Sequence, residues 1–486
     1  MDLTDEQRAI VAHKFQRNDV IVVHASAGTG KTFILSVLAK KFDSRVYISF
    51  NVSIAASAPV EPATTLDALN KRLWTSKKGS EPTICDAWPD ANVLETLRAW
   101  TTTARDVMSL SDAGGCSDTL GAATRAADDA FSGAGPMTHG MLQSWARMNR
   151  VRIPFRALLI DEAQDLNDNQ LGFLLAHDGP RIFIGDGCQA IYGFRGAANA
   201  MRTLHRRATR RFTLTRSFRF GPHVAYIANA VLAEDDAPVI VGCGDTRLLT
   251  PSDASVPDAF IARTQARLFL TCLEFLRKPR PVHLLGRSRD VFLRWIRIAR
   301  GDMSDTSAGD LRLLEQLPPG STHLLDALEA NEGDTGVVFT TVHGCKGMEF
   351  DYVALVDDFR ATGFSKKRKR VHKRASKGAS ACTSAPHVVA KVVVGASSAS
   401  VSASSASASA SKATVVRPEH RRRIPREVEE RNLLYVAVTR AKHVLRVNTS
   451  LYQTPLLELL WRRFRSGEPS PTPCPQPKHS CTFKTT

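Results

Sequence analysis

The chain has 486 residues, of which 43% are hydrophobic and 23% are charged, and this is the composition of a globular protein long enough for two or more domains. No apolar run reaches the ~18 residues of a membrane span, and the N-terminal sequence MDLTDEQRAIVAHK lacks the apolar core of a secretory signal. We therefore expect an intracellular protein that neither crosses a membrane nor is secreted.

The net charge of +17 is concentrated in one segment. Residues 365–426 contain 15 Lys/Arg and one acid, which gives +14 and leaves +3 for the rest of the chain. The tract SSASVSASSASASASK lies between its basic clusters, and such a sequence cannot bury enough apolar surface to offset chain entropy. We predict a disordered basic insert at 365–426 and a disordered Pro-rich tail at 466–486.

The nine cysteines are scattered and contain no CxxC pair. This pattern favours reduced thiols in a cytosol or nucleus over a disulfide framework or a zinc site. Cys188 and Cys345 fall within motifs discussed below, but neither has an activating sequence context. We interpret both as small packing residues.

Strands and helices alternate along the chain. VIVVHA (20–25) predicts a strand, KTFILSVLAKKF (31–42) a helix and SRVYISF (44–50) a second strand. Further strands are predicted within the ranges 156–163, 180–186, 337–344 and 351–359. The alternation indicates parallel α/β sheets. Residues 101–136, rich in Ala, Gly, Ser and Asp, predict a weakly packed helical insertion.

The first predicted strand leads into HASAGTGKT (24–32), which is typical of a phosphate-binding loop. Backbone N–H groups of such a loop cradle phosphate, a lysine (here Lys31) reaches the terminal phosphates and a hydroxyl (here Thr32) binds Mg²⁺. The strict pattern has glycine where Ala25 stands, but alanine is small enough to keep the turn. The strand before and the helix after the loop favour nucleotide binding over a chance glycine-rich turn.

The stretch LLIDEAQD (158–165) is an apolar strand that ends in two acids. After a phosphate-binding loop, the first acid, Asp161, is expected to hold Mg²⁺, and the second, Glu162, to polarise the attacking water. A helix start decorated with acids is the alternative, and the buried-strand pattern disfavours it.

One further motif and two separate arginines provide candidate residues. In IFIGDGCQAIYGFRGA (182–197), Gln189 can sense a γ-phosphate, and the aromatic residues with their nearby arginine can stack on bases. A core hairpin explains this motif equally well. Phosphoryl transfer also needs positive charge on the γ-phosphate, which Arg219 and Arg440 can supply. A lone arginine is usually a surface charge, but the surrounding motifs favour the functional role.

The ordered motifs LTDEQ, AGTGKT, YISFN, LLIDEAQD, GDGCQAIYGFRGA, SFRFG, TTVHGCKGMEFD and LLYVAVTRA resemble those of UvrD/Rep-type superfamily 1 DNA helicases. MTHGMLQSW, SFRFGPHVAYIANAVL, VHLLGR, VDDF and NLLYVAVTRAK are similar to the helicase part of the F-box DNA helicase family in particular. The resemblance runs from about residue 3 to about residue 450 and is broken by the basic insert.

This resemblance implies an α/β fold with two RecA-like P-loop NTPase domains, parallel sheets and small helical insertions. The expected N-terminal domain is 1–215, with a helical insertion at about 70–150. The C-terminal domain is expected at 216–364 and 427–465, with a reduced insertion at about 265–335. ATP and Mg²⁺ are expected in the cleft between the two domains.

The resemblance also implies residue roles. Gln7 and Phe218 would bind the adenine, and Glu349 would lie at the ribose/phosphate side of the cleft. Arg219 and Arg440 would contact the γ-phosphate. Gln189 would couple the γ-phosphate to the DNA-binding groove. The expected cofactor-binding set is Gln7, Ala27, Gly28, Thr29, Gly30, Lys31, Thr32, Phe218 and Glu349, with Thr32 and Asp161 for the metal. The expected DNA-binding set is Phe50, Tyr192, Phe194, Arg195 and His343.

The implied activity is an ATP-dependent 3′–5′ DNA helicase or translocase that moves on single-stranded DNA and meets duplex junctions, in repair, recombination or replication. The alternatives are a translocase that strips proteins with little unwinding and a non-catalytic DNA-binding scaffold. An RNA helicase stays open, but no sequence feature supports it. Lys31, Asp161, Glu162, Gln189, Arg219 and Arg440 are all present, which disfavours the scaffold.

The chain also departs from the family pattern. Asp67 stands where a DNA-facing histidine is usual, Phe33 where arginine is common, and Phe194 where bacterial relatives have tryptophan. No F-box sequence precedes Gln7, so we do not expect a ubiquitin-ligase role. A strand-separating hairpin is expected after Arg440, with Tyr452 as the candidate tip.

The basic insert has three interpretations. KKRKRVHKR, which includes the cluster 366–374, is typical of a nuclear-import signal. The same residues could form a non-specific phosphate-binding arm, or the segment could be a solvated linker. We expect nuclear localisation on the first interpretation and a cytosolic protein otherwise.

Overall fold

The computed structural model describes residues 3–50, 52–85, 91–102, 117–193, 199–233, 235, 237–304, 306–317, 320–331, 333, 335–359, 425–454 and 457. The predicted insert at 365–426, except residues 425 and 426, and the predicted tail lie outside these residues, as do Phe194 and Arg195. The described residues belong to one compact unit. No helix among them is long and apolar enough to cross a membrane.

The first sheet has six parallel strands in the order β3-β2-β4-β5-β1-β6. They are β1 (Val20–Ala25), β2 (Arg45–Ser49), β3 (Ala63–Thr65), β4 (Ala157–Ile160), β5 (Arg181–Gly185) and β6 (Arg210–Leu214). The central strands β4 and β5 are buried along their whole length, which explains their continuous apolar sequences. Its helices are α1 (Asp5–Ala12), α2 (Lys31–Ala39), α3 (Val52–Ala56), α8 (Asp168–Leu175) and α9 (Ala200–Arg207).

Four helices lie between β3 and β4 as an insertion: α4 (Leu66–Lys78), α5 (Ala91–Thr102), α6 (Ser117–Ser132) and α7 (His139–Met148). Trp74 and Trp145 meet at a centroid distance of 4.6 Å. Ala123, Ala127 and Ala130 of α6 are fully buried in the same core. The prediction of a helical insertion agrees with this structure, but the expectation of weak packing is wrong for α6, because its alanines permit close helix contacts.

The second sheet is also six-stranded and parallel, in the order β11-β12-β10-β13-β14-β9. Its strands are β9 (Arg247–Leu249), β10 (Ala259–Ala262), β11 (Val282–Leu284), β12 (Val337–Thr341), β13 (Phe350–Leu355) and β14 (Ala441–Arg446). A separate two-stranded sheet pairs β7 (Arg216–Ser217) with β8 (Val241–Gly242).

Among the described residues, seven helices accompany the second sheet: α10 (Pro222–Val231), α11 (Gln265–Phe275), α12 (Ser288–Ala299), α13 (Ala308–Leu314), α14 (Thr322–Glu329), α15 (Arg426–Val438) and α16 (Thr449–Tyr452). Helix α15 is nearly all buried from Arg431 onward, because it packs between α10 and the short 3₁₀ helix Gly187–Gln189 that follows β5. Two parallel α/β sheets confirm the predicted fold class, and α15 brings residues of the second sheet against the first.

Candidate active site

The phosphate-binding loop lies between β1 and α2, at the carboxyl end of its strand. Gly28 and Gly30 have φ angles of +74° and +82°, which only glycine adopts without strain. A Cβ on Gly28 would lie 2.5 Å from Ser217 Oγ, whereas one on Gly30 would meet nothing closer than 3.4 Å. The buried Ser217 hydroxyl has no hydrogen-bond partner within the described part of the chain. The first N–H groups of α2 also have no partner inside the helix, so the loop fits a phosphate group.

Thr32 and Asp161, the predicted metal ligands, are adjacent. The Thr32 hydroxyl donates a 3.3 Å hydrogen bond to Asp161 Oδ2, and the Tyr47 hydroxyl donates one of 2.6 Å to the same oxygen. Burial and the neighbouring Glu162 carboxylate raise the pKa of Asp161. Mg²⁺ is usually held by one or two protein oxygens together with substrate phosphates, so this pair fits the metal of a nucleotide complex.

Glu162 follows Asp161 in a left-handed backbone conformation, with φ +50°. Burial alone would raise the pKa of this carboxyl, but Lys31, Lys346 and a hydrogen bond from Gln164 outweigh it and lower the pKa to about 2. Such a backbone conformation is uncommon for a residue other than glycine and tends to occur at functional sites. Glu162 is therefore an ionised carboxylate held next to the phosphate-binding lysine.

Gln189 joins the two sheets. Its Nε2 donates to Asp186 Oδ2 at 2.8 Å, and its Oε1 accepts a 3.3 Å hydrogen bond from Arg440 Nη2. Arg440 is 1% exposed, and burial with the nearby Arg219 lowers its pKa to about 10, which keeps it cationic at neutral pH. The predicted coupling glutamine and one predicted γ-phosphate arginine are thus in direct contact.

Arg219 lies beside the loop. Its Nε donates to Glu349 Oε2 at 2.7 Å and its Nη1 to the Thr439 carbonyl oxygen at 3.2 Å. A Cβ on Gly28 would be 2.6 Å from the Cβ of Arg219. Two residues assigned to the nucleotide by resemblance, Arg219 and Glu349, therefore meet at the loop.

The two predicted adenine-binding residues also adjoin the loop. The backbone N–H of Phe218 donates to the Gly28 carbonyl oxygen at 2.8 Å, and the residue is 51% exposed, so its ring is available to a flat ligand. Gln7 is buried and caps the start of α1. Its Nε2 is 3.4 Å from the position of a Cβ on Gly30.

Three of the predicted DNA-binding residues form one aromatic cluster. The rings of Phe50 and Tyr192 stack with a centroid distance of 5.5 Å and an interplanar angle of 23°, and His343 lies 6.0 Å from Tyr192. Phe50 and Tyr192 line a cavity of about 260 Å³ that also contacts Asp67. An acid in this cavity lowers its attraction for a nucleic-acid backbone.

Two contacts between the sheets involve residues to which the sequence analysis gave no role. Lys346 Nζ donates to Asp165 Oδ2 at 2.5 Å and to the Gln189 carbonyl oxygen at 2.9 Å, and it lies 4.8 Å from the Tyr192 ring centroid. The Tyr435 hydroxyl donates to Asp186 Oδ2 at 2.8 Å and accepts from the Ala27 N–H at 3.1 Å. Lys346 stands inside the motif TTVHGCKGMEFD and Tyr435 inside LLYVAVTRA. These positions are the sequence feature from which a functional role could have been predicted.

The two cysteines inside the motifs, Cys188 and Cys345, lie in buried surroundings. Burial raises the pKa of the Cys345 thiol to about 12 and that of Cys188 well above its ordinary value, which agrees with unreactive packing residues.

Tyr452 lies on the short helix α16 and packs against the core of the second sheet. The expected hairpin tip at Tyr452 is therefore wrong, because the chain after β14 turns into a helix capped by Asn448.

Comparisons with known proteins find helicase domains and helicases that are similar to this chain. The UvrD/REP helicase N-terminal domain model matches residues 118–207, and the UvrD-like helicase C-terminal domain model matches residues 321–452. F-box DNA helicase protein 1 of Schizosaccharomyces pombe is 28% identical over 258 residues, which are 42% of this chain and 29% of the relative. F-box DNA helicase 1 of Gallus gallus is 25% identical over 280 residues, 47% of this chain and 28% of the relative.

The matches thus span less than a third of these relatives' length. Among solved structures, an Arterivirus nonstructural protein 10 (helicase) in complex with DNA is 12% identical, with a TM-score of 0.34 and coverage of 94% of this chain and 65% of that chain. The two domain models and the modest likeness to F-box DNA helicases confirm the resemblance drawn from the motifs: residues 118–207 match the model of the UvrD/REP helicase N-terminal domain, and residues 321–452 match that of the UvrD-like helicase C-terminal domain.

Proposed function

We propose that the chain is an ATP-dependent DNA helicase or translocase that moves 3′–5′ along single-stranded DNA. The observation that carries this proposal is the contact between the sheets. Arg440, just before β14 of the second sheet, contacts Gln189, which follows β5 of the first sheet. Lys346, between β12 and β13 of the second sheet, contacts Asp165, which follows β4 of the first. Both contacts lie between the phosphate-binding loop and the aromatic cluster. Such contacts allow the two sites to act on each other.

The loop residues and their neighbours would hold ATP. Gly28, Gly30 and Lys31 would bind the phosphates, with Thr32 and Asp161 on Mg²⁺. Bound ATP supplies the phosphoanhydride, whose charge the metal partly neutralises. Glu162 would orient the attacking water and accept its proton.

The basic residues of the second sheet would provide the remaining charge. Arg440 is buried against Gln189, and Arg219 lies at the edge of the loop. Guanidinium groups held in this way stabilise charge on transferring phosphate without reorganisation. ATP would therefore bind best when the two sheets are close, and hydrolysis would favour their separation.

The aromatic cluster would hold the DNA strand. Stacking on Phe50 and Tyr192 is tolerant of base identity and contributes on the order of 1–3 kcal/mol per base. Because Lys346 contacts both Asp165 and the Tyr192 ring, a movement at the ATP site is passed to the stacked bases. Duplex junctions, a nuclear location and a role in repair, recombination or replication belong to the same proposal.

Unwinding of tailed duplexes tests the direction of movement. Wild-type protein and Glu162→Gln are compared on duplexes with a 3′ or a 5′ single-stranded tail. We expect unwinding of the 3′-tailed duplex alone, and none by the variant. Preference for the 5′ tail would contradict the polarity. DNA-stimulated ATP hydrolysis without unwinding would favour the protein-stripping translocase, and loss of both activities would favour the scaffold.

A further inference from the structure

A cavity of about 950 Å³ lies at the opposite edge of the first sheet from the phosphate-binding loop. Its walls come from the loop before β1, the segment from α7 to β4 and the segment from α8 to β5. The amino ends of three parallel strands meet at this edge, whereas the loop and the two metal-binding residues follow carboxyl ends. A ligand in the cavity therefore leaves the active site accessible.

Of the five arginines in the described lining of the cavity, four have side chains without a partner among the described residues. The side chains of Arg147, Arg150, Arg152 and Arg156 make no hydrogen bond or ion pair within the described part of the chain. Among the described residues, Asp178 is the one acid in the lining of the cavity. Its Oδ2 lies 3.9 Å from Nη2 of Arg17. Unpaired guanidinium groups around a concave surface attract a multiply charged anion, with two parallel hydrogen bonds available to each carboxylate.

The segment that carries three of these arginines is held in one conformation. Arg150 is one of three described residues other than glycine with a positive φ, at +47°. Backbone hydrogen bonds join Val151 N–H to Ala146 and Arg156 N–H to Ser44, both at 3.0 Å. The backbone that carries these arginines is therefore organised before any ligand arrives, which reduces the backbone entropy lost on binding.

The floor of the cavity is apolar. It contains the buried side chains of Ile153 and Phe173 and the half-buried rings of Phe15, Phe42 and Phe155. Phe15 and Phe42 pack edge to face at 5.2 Å and 65°, so they do not form a flat platform on which successive bases stack. A recessed apolar floor inside a charged rim fits a side chain inserted from a peptide.

We propose that this cavity binds an acidic peptide segment of a partner protein, with an apolar side chain inserted among the phenylalanines and flanking carboxylates on Arg150, Arg152 and Arg156. The chain's own basic insert, 365–426, has the wrong charge for this site, because its clusters are basic. The arrangement of the rings disfavours single-stranded nucleic acid as the occupant. This binding does not depend on ATP hydrolysis or DNA movement.

A peptide-display selection tests the proposal. A library of 12-residue peptides is selected on the full-length wild-type chain and counter-selected on Arg150→Glu/Arg152→Glu. Arg267→Glu/Arg277→Glu, which changes two exposed arginines on and just after helix α11, is the matched control. Labelled peptides from the selection, a lysine-substituted version, an anchor-to-alanine version and a 12-nucleotide oligo-dT are then titrated by fluorescence anisotropy.

The expected result is a set of acidic peptides that share one large apolar residue. Their affinity should fall at least 10-fold with Arg150→Glu/Arg152→Glu and with either peptide change, and should stay unchanged with the control. An unchanged rate of ATP hydrolysis would show that the cavity variant is folded. The proposal is overturned if no acidic, anchored peptide is enriched, if both variants weaken binding equally, or if oligo-dT shows the cavity-specific loss instead.

Discussion

The hydroxyl of Tyr435, on a helix of the second sheet, donates to the Asp186 carboxylate and accepts from the backbone N–H of Ala27 in the phosphate-binding loop. Tyr435 is fully buried. The side chain of Tyr435, on helix α15, therefore fixes both the phosphate-binding loop and the Asp186 carboxylate that holds Gln189.

Replacing Tyr435 by phenylalanine should lower both stability and turnover. The change leaves the Ala27 N–H and an Asp186 oxygen without this partner, and an unsatisfied buried group costs about 1–3 kcal/mol. Denaturant unfolding should show a loss of that size, and the maximal rate of ATP hydrolysis should fall. Tyr352→Phe, which removes a hydroxyl that contacts Ser255 at an exposed site, should change neither quantity measurably.

The ion pair of Lys346 and Asp165 gives a second test. Lys346→Met leaves the Asp165 carboxylate buried without its cation, which costs about 3–5 kcal/mol. The double variant Lys346→Met/Asp165→Asn removes both charges and should regain most of the stability. If Lys346 also links ATP to DNA, the double variant should still lack stimulation of ATP hydrolysis by single strands. A double variant with full stimulation would show that the ion pair is only structural.

Acid should weaken activity through Asp165. Burial, only partly offset by Lys346, raises the pKa of this carboxyl from 3.8 to about 6. Because the folded pKa is raised, the Asp165 contribution to the free energy of unfolding is largest at low pH and declines as pH rises from about 4 to 6. Activity should instead fall as pH is lowered, because protonation of Asp165 below about pH 6 removes the negative charge that holds Lys346.

The rate of DNA-stimulated ATP hydrolysis between pH 5 and 8 measures this effect. Glu162, with its pKa lowered to about 2, stays ionised across that range and should add no acid limb. We expect the wild-type rate to fall below about pH 6 and the Asp165→Asn rate to be low and flat. An acid limb that persists in Asp165→Asn would assign it to another group.

The two loop glycines should respond differently to alanine. Gly28→Ala combines a left-handed φ with a Cβ 2.5 Å from Ser217 Oγ, whereas Gly30→Ala has the φ strain without a contact under 3.4 Å. We expect Gly28→Ala to lose at least 10-fold more affinity for a fluorescent ATP analogue than Gly30→Ala. Equal losses would mean that backbone strain, not contact with Ser217, governs the loop.

Phe50 should determine DNA affinity but not ATP affinity. Removal of its stacked ring in Phe50→Ala should weaken oligo-dT binding by about 10-fold, since stacking contributes on the order of 1–3 kcal/mol per base. Phe50→Leu keeps much of the apolar area and separates stacking from burial. If both variants bind oligo-dT like wild type, the aromatic cluster is not the DNA site.

The sequence predicted much of the fold and part of the site. Strands such as β1 and β5 were predictable because buried parallel strands have continuous apolar sequences, and Lys31, Thr32, Asp161 and Glu162 because they follow such strands at fixed spacing. Contacts between distant segments were not predictable in this way. Tyr435 and Ala27 are 408 positions apart, and no local pattern indicates that a tyrosine inside an apolar helix carries its hydroxyl to the loop.

Weak packing in the helical insertion was predicted from composition, and composition does not show which alanines face a core. Ala123 and Ala127 are buried because they lie four residues apart on one face of α6. The hairpin tip at Tyr452 was carried over from a resemblance, and the local Asn448 cap instead begins a helix.

The most direct test of coupling between ATP hydrolysis and single-stranded DNA is the steady-state rate of ATP hydrolysis with and without that DNA, for wild type beside Glu162→Gln. We predict a many-fold increase in the wild-type rate with oligo-dT, and no hydrolysis by the variant under either condition. A wild-type rate that single-stranded DNA leaves unchanged, or the absence of hydrolysis with every polynucleotide, would contradict a motor in which the two sheets couple ATP to a DNA strand.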